Sequence, residues 1–182
     1  RRGPSFPEDP KLEVVPGISD AIAVATSGEY WLALRSDGTI LSWGNSGASG
    51  RLGRDMRMIH APGDPPLPAA PETPAPVREI TNAVAISAGA EHGVALLADS
   101  TVRTWGEGRY GIPGDGSPTS TRRLAPARVS GIDNAVSVTT GSMSSHALLA
   151  DGTVRAWGWN RLSATTLGAS PAIRSGRAGP RP

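Results

Sequence analysis

The chain has 182 residues, a formal net charge of +2, 38% hydrophobic and 19% charged residues, and no cysteine. That is enough apolar material for one domain, too little charge for a disordered polyelectrolyte, and it excludes a disulfide framework and any cysteine-based metal site. With 23 Gly and 17 Pro, the composition also excludes an architecture of long helices and asks for many turns and short strands.

Residues 1–11 read as an N-terminal extension. They open Arg1-Arg2-Gly3-Pro4, without Met and without a signal-like apolar stretch, as a processed or excised piece would. Three repeats follow, spanning 12–53, 76–116 and 127–160. Their registers are set by Ile18, Ile80 and Ile132, and the residues after each align without a gap through Trp43, Trp105 and Trp157. Each unit begins with a period-two strand (Ile22–Val24, Val84–Ile86, Val136–Val138), and a small residue follows at Ser27, Gly89 or Gly141. A second apolar run comes next: Trp31–Leu34, Val94–Leu97 and His146–Leu149. Asp37-Gly38, Asp99-Ser100 and Asp151-Gly152 then predict tight hairpins, with Ser100 the departure because such turns favour the positive φ of glycine. The third strand ends each time in Trp-Gly. Short stretches ahead of each unit, Leu12–Val15, Pro76–Arg78 and Ala127–Ser130, read as edge strands. The fold class is therefore all-β: four-stranded antiparallel blades of a β-propeller, three in this chain. A tryptophan at one fixed place per blade is expected to fill the gap between neighbouring sheets.

Residues 54–75, "RDMRMIHAPGDPPLPAAPETPA", form a Pro-rich insertion absent from the second unit and read as an extended surface loop. Residues 161–182 are a low-complexity tail. Four arginines and no acid lie from Trp159 onward, which leaves the rest of the chain slightly acidic and argues against nucleic acid as a partner. No apolar run is long enough to span a membrane as a helix.

Gly89, His92, Ala95, Leu96, Asp99, Val102, Trp105 and Gly106 of the second unit, together with Gly50-Arg51-Leu52-Gly53 and Trp157-Gly158-Trp159-Asn160, resemble the RCC1-type repeat (regulator of chromosome condensation). Tyr30 and Ser144 stand where that family has His. The resemblance implies a propeller of about seven blades. Three blades leave open apolar faces, to be covered by further blades, other copies or another chain. Members of the family include exchange factors for small GTPases, and bacterial relatives include β-lactamase inhibitors, so the resemblance also implies a regulator or inhibitor of a partner enzyme or GTPase. The Arg-rich, Lys-poor composition fits a high-GC bacterium, and the resemblance to bacterial RCC1-like proteins, which are often exported, implies an extracellular or cell-envelope setting.

Chemistry is sparse. Gly106-Glu107-Gly108-Arg109-Tyr110-Gly111 satisfies a dinucleotide pattern, but Ile112-Pro113-Gly114-Asp115-Gly116 cannot begin the helix that phosphate binding needs. His60, His92 and His146 lack metal-ligand spacing. Asp115-Gly116-Ser117 and Asp151-Gly152-Thr153 do not continue into a calcium loop. No nucleophile elbow is present. The reading is a non-catalytic protein with no cofactor and no metal. Its partner is another protein, or further copies of itself in a structural or cell-surface assembly. Candidate contact residues are Glu29, Tyr30, Trp31, Glu91, His92, Arg109, Tyr110, Met143, Ser144 and Trp159, most of them at the entry to the second strand of a unit.

Overall fold

The computed structural model describes residues 13–45, 49–54, 73–117, 122–159 and the strand Arg174–Arg177. The N-terminal extension, His60, most of the Pro-rich insertion and the rest of the tail lie outside the described residues.

Alternating apolar residues and Asp-Gly-type turns produce three antiparallel sheets of four strands each. The first holds β1 (Ala21–Thr26), β2 (Tyr30–Arg35), β3 (Ile40–Gly44) and β4 (Ala75–Pro76) in that order. The second holds β5 (Ala83–Ala88), β6 (His92–Leu97), β7 (Val102–Gly106) and β8 (Arg123–Arg128). The third holds β9 (Ala135–Thr140), β10 (Ser144–Leu149), β11 (Thr153–Gly158) and β12 (Arg174–Arg177). These are blades of a β-propeller, and the three together form an arc that does not close. No helix among the described residues is long and apolar enough to cross a membrane.

The outer strands correct one expectation. Pro76–Arg78 and Ala127–Ser130 read in sequence as leading their own units, yet Ala75–Pro76 pairs with β3 and Arg123–Arg128 with β7, so each completes the blade before it. The free edge of the third strand is what the returning chain meets first, and a paired edge satisfies its backbone donors and acceptors. Glu13–Val15 lies in no strand. Arg174–Arg177, within the tail, pairs with β11 and does the same for the third blade.

The hairpins repeat one design. Asp37 accepts from the Thr39 amide at 2.9 Å and the Thr39 hydroxyl at 2.6 Å. Asp99 and Thr101, and Asp151 and Thr153, make the same pair of bonds. Those hydroxyl and amide bonds hold all three carboxyls below the usual range. Gly38 and Gly152 sit at φ 80° and 79°, while Ser100 is held at φ 63°. An L-residue pays about 1–2 kcal/mol for that conformation, so Ser100→Gly is expected to raise stability by about 0.5–1 kcal/mol after the extra freedom of unfolded glycine is deducted. Urea titration of the two proteins checks it, and an unchanged or lowered midpoint refutes it.

Because side chains alternate along a strand, each blade has two faces. The forward face meets the next blade and the rear face meets the previous one. Tyr30, Leu32, Leu34 and Ile40 of the first blade bury against Ala95, Leu97 and Trp105 of the second. Val94, Leu96 and Val102 of the second bury against Ala147, Leu149 and Trp157 of the third. The middle blade is covered on both sides, which is why every residue of β6 is buried whereas β2 and β10 are mixed.

The repeated tryptophan does fill these seams. Trp105 lies on a rear face, where a Cβ on Gly53 of the previous blade's closing loop would come 2.8 Å from its ring. Its Nε1–H donates to the Arg51 carbonyl at 2.8 Å. Trp157 meets Gly114 of the next closing loop in the same way, at 2.7 Å. Trp43 has no described blade behind it; it is only part-buried and stacks on Trp31 with centroids 6.2 Å apart.

Candidate functional site

The turns between first and second strands and the exits from third strands share one rim. Register places them together: Tyr30 pairs with Gly44, His92 with Gly106 and Ser144 with Gly158. Each turn is then latched to its exit. The carbonyls of Glu29, Glu91 and Met143 accept from the amides of Asn45, Glu107 and Trp159 at 2.9, 2.9 and 2.8 Å. The glycine before each latch has φ between 95° and 109°, and a Cβ on Gly106 would come 2.3 Å from the Glu91 carbonyl oxygen. Only glycine allows the strand to leave so close to the turn.

The candidate residues divide on this rim. Tyr30 and His92 are fully buried and offer no surface to a partner. Tyr30 donates its hydroxyl to the His92 carbonyl at 2.6 Å, and burial pushes its phenol well above the usual range. The His92 ring lies 2.9 Å, Nε2 to Oγ, from Ser145 in the third blade. Burial lowers its pKa to about 4, so the imidazole is neutral. Its Nδ1 has no hydrogen-bond partner among the described residues. Both atoms of the Ser–His contact are buried and, among the described residues, no carboxylate orients the ring, so this pair ties two blades together. The size of these two side chains and their strand-entry position suit a seam as well as a loop surface, and sequence alone does not tell the two apart.

Glu29 and Glu91 remain on the surface, organised by a residue absent from the candidates. Arg51 is 4% exposed, lies 2.8 Å from the Glu29 carboxylate and 3.7 Å from Glu91, donates to the Ala90 carbonyl at 3.1 Å, and covers the Tyr30 ring. A buried guanidinium needs this set of acceptors. Its place inside Gly50-Arg51-Leu52-Gly53 is the signal that could have found it. Trp31 is 39% exposed on the open rear face of the first blade. Met143 and Ser144 are half-buried.

The third part of the rim is aromatic. The stretch Gly106–Gly111 leaves β7 and makes a single 3-10 turn at Arg109–Gly111, with no helix for a phosphate to face. Tyr110 stands on that turn at 51% exposure and stacks on Trp159, 42% exposed, with centroids 5.4 Å apart. Tyr110 is held at φ 58°, a conformation uncommon for a bulky residue. Arg109 is exposed beside Glu107. Among the described residues no three His, Asp or Glu side chains cluster as a metal site. Asp115 is turned to the Ser117 amide and the Arg123 guanidinium.

Residues 83–112 match the family described as the regulator of chromosome condensation (RCC1) repeat. The chain is 34% identical over 145 residues, 76% of its length, to the secretion-regulating guanine nucleotide exchange factor of Bos taurus. It spans 29% of that protein, and less than a third of the curated relatives it matches. Among solved structures, human WBSCR16 superposes with a TM-score of 0.72 at 18% identity, over 91% of this chain and 40% of that one. Prp20p from Saccharomyces cerevisiae superposes with a TM-score of 0.64 at 22% identity, over 86% of this chain and 37% of that one; its structure is reported with its binding properties to Gsp1p and histones. At these identities the structural likeness shows the fold.

Proposed function

Because the chain is built from RCC1-type repeats, we propose that it works as a non-catalytic protein-interaction module. Its contact surface is the rim formed by Glu29, Glu91, Met143, Tyr110 and Trp159. The observation that carries this reading is the stacked Tyr110–Trp159 pair. Two large aromatics at about half exposure, one of them, Tyr110, on a turn held in a strained conformation, cost stability that packing does not return. Rigid aromatics with a polar edge are favoured anchors for protein partners. The latches beneath them fix the platform, so a partner pays little to order it. The proteins it resembles are described by exchange activity or by binding to Gsp1p and histones, which accords with a binding role.

A randomised peptide library displayed on phage and panned against the chain tests this. Enriched peptides are expected, and Trp159→Ala with Tyr110→Ala is expected to weaken them about 30-fold or more at an unchanged melting temperature. No enrichment, or peptides indifferent to the double substitution, would sink the reading.

A further inference from the structure

The closing loops of the first two blades hold the same place and differ in charge. Gly53 meets Trp105 and Gly114 meets Trp157. The Leu52 carbonyl accepts from the Ser42 hydroxyl, and the Pro113 carbonyl accepts from Thr104. Arg51 and Ile112 therefore occupy equivalent positions. In the first seam the Arg51 guanidinium lies 5.9 Å from the centre of the Tyr30 ring and 2.8 Å from the Glu29 carboxylate. In the second seam Glu91 takes the place of Glu29, while Ile112, fully buried, takes the place of Arg51. Among the described residues Glu91 is left with one ion pair, the 3.7 Å approach of Arg51 across the first seam, and its side chain is 36% exposed.

What the second seam offers instead of a cation is aromatic surface. The Glu107 amide is latched to the Glu91 carbonyl, and Tyr110 follows three residues later, stacked on Trp159. The backbone thus brings a carboxylate and the aromatic pair to one stretch of rim. The Glu107 carboxylate is already turned to the amides of Gly108 and Arg109, with the Arg109 guanidinium 3.9 Å away. On this rim Glu29, Glu91 and Glu107 face only Arg51 and Arg109, and the surplus negative charge falls on Glu91.

Resting on the interaction reading above, we infer that the rim between the second and third blades takes an arginine side chain of a protein partner. Its guanidinium lies against the Tyr110–Trp159 pair and is neutralised by Glu91. That is the part Arg51 plays inside the first seam, between an aromatic ring and carboxylates, supplied here from outside. A guanidinium suits both surfaces, because it is planar, weakly hydrated, stacks on aromatic rings and forks to a carboxylate. A purely apolar anchor would cover the rings and take water from Glu91 without replacing it. An acidic or phosphorylated segment would meet Glu91 with like charge.

Titration of the isotope-labelled full chain with N-acetyl-arginine N-methylamide, followed by NMR, is the test. Saturable shifts of the Trp159 indole N–H and of the Glu91, Glu107 and Tyr110 amides are expected, with a dissociation constant on the order of 1–10 mM. The lysine counterpart is expected to bind about fivefold more weakly, and the citrulline counterpart, similar in shape but uncharged, to give no saturable shift. Glu91→Gln is expected to weaken the arginine probe about fivefold at an unchanged melting temperature, since Arg51 keeps Glu29 and the Ala90 carbonyl. Tyr110→Leu, which keeps an apolar side chain but removes the ring, is expected to weaken it as much. No saturable shift with the arginine probe, an equal response to lysine or citrulline, or a Glu91→Gln protein that binds like wild type overturns the inference. The panned peptides separate it from the wider reading. Peptides that are lost with the Tyr110 and Trp159 substitutions but carry no arginine overturn this inference and leave the interaction reading standing.

Discussion

Trp105→Ala is expected to lower the stability of the chain by about 3–5 kcal/mol, among the largest effects available from one substitution. The ring is 1% exposed at the seam between the first two blades. Its walls are unable to collapse into the space it would vacate, because Gly53 and Gly93 already bring backbone to the ring closer than any Cβ could stand. The cavity term is therefore retained nearly in full. The Arg51 carbonyl also loses the indole donor at 2.8 Å, inside a loop that carries a buried guanidinium. Gly93→Ala approaches the same contact from the other side, with a methyl forced to 2.3 Å from the ring, and is expected to cost about 1–3 kcal/mol. Urea titrations of both variants measure these losses. A Trp105→Ala protein within about 1 kcal/mol of wild type would mean that the seam is held by its aliphatic contacts and that the ring only fills space.

The repeated tryptophan was legible from sequence because its spacing recurs in three units, as were the hairpins and the blade plan. The ladder partners of the outer strands were not. A two-residue strand such as Ala75–Pro76 carries no periodicity, and its assignment to the preceding blade is decided by which edge lies free after β3. The candidate contact residues were only partly sorted. Tyr30 and Tyr110 look alike in sequence, each a tyrosine near a blade end, yet one is fully buried across a seam and the other half-exposed on the rim. What separates them is strand alternation: Tyr30 falls on the forward face of β2, and Tyr110 follows the latch that carries the chain off the sheet. Arg51 was passed over because a lone arginine in a Gly-rich loop ordinarily reads as solvated. Its burial follows from the two glutamates and the tyrosine ring that three-dimensional proximity brings to it.

The same seams make stability depend on pH through His92. In the folded chain burial holds its pKa at about 4, against an ordinary value of 6.5. The folded state refuses a proton that the unfolded chain accepts, so stability falls as pH drops from about 6.5 toward 4 and this contribution levels off below that. The gap corresponds to about 3 kcal/mol across the window. Asp37, Asp99, Asp115 and Asp151 titrate elsewhere: their pKa values are lowered, so the stability they contribute is lost only below the ordinary carboxylate range. His92→Gln can keep a donor toward Ser145 while removing the titration. The difference in unfolding free energy between wild type and His92→Gln, measured at intervals from pH 7 to pH 4.5, is therefore expected to shift in favour of the variant as pH falls. Parallel pH profiles would show that the imidazole takes up its proton without leaving the seam. The neutral His92–Ser145 contact would then not be what joins the second blade to the third.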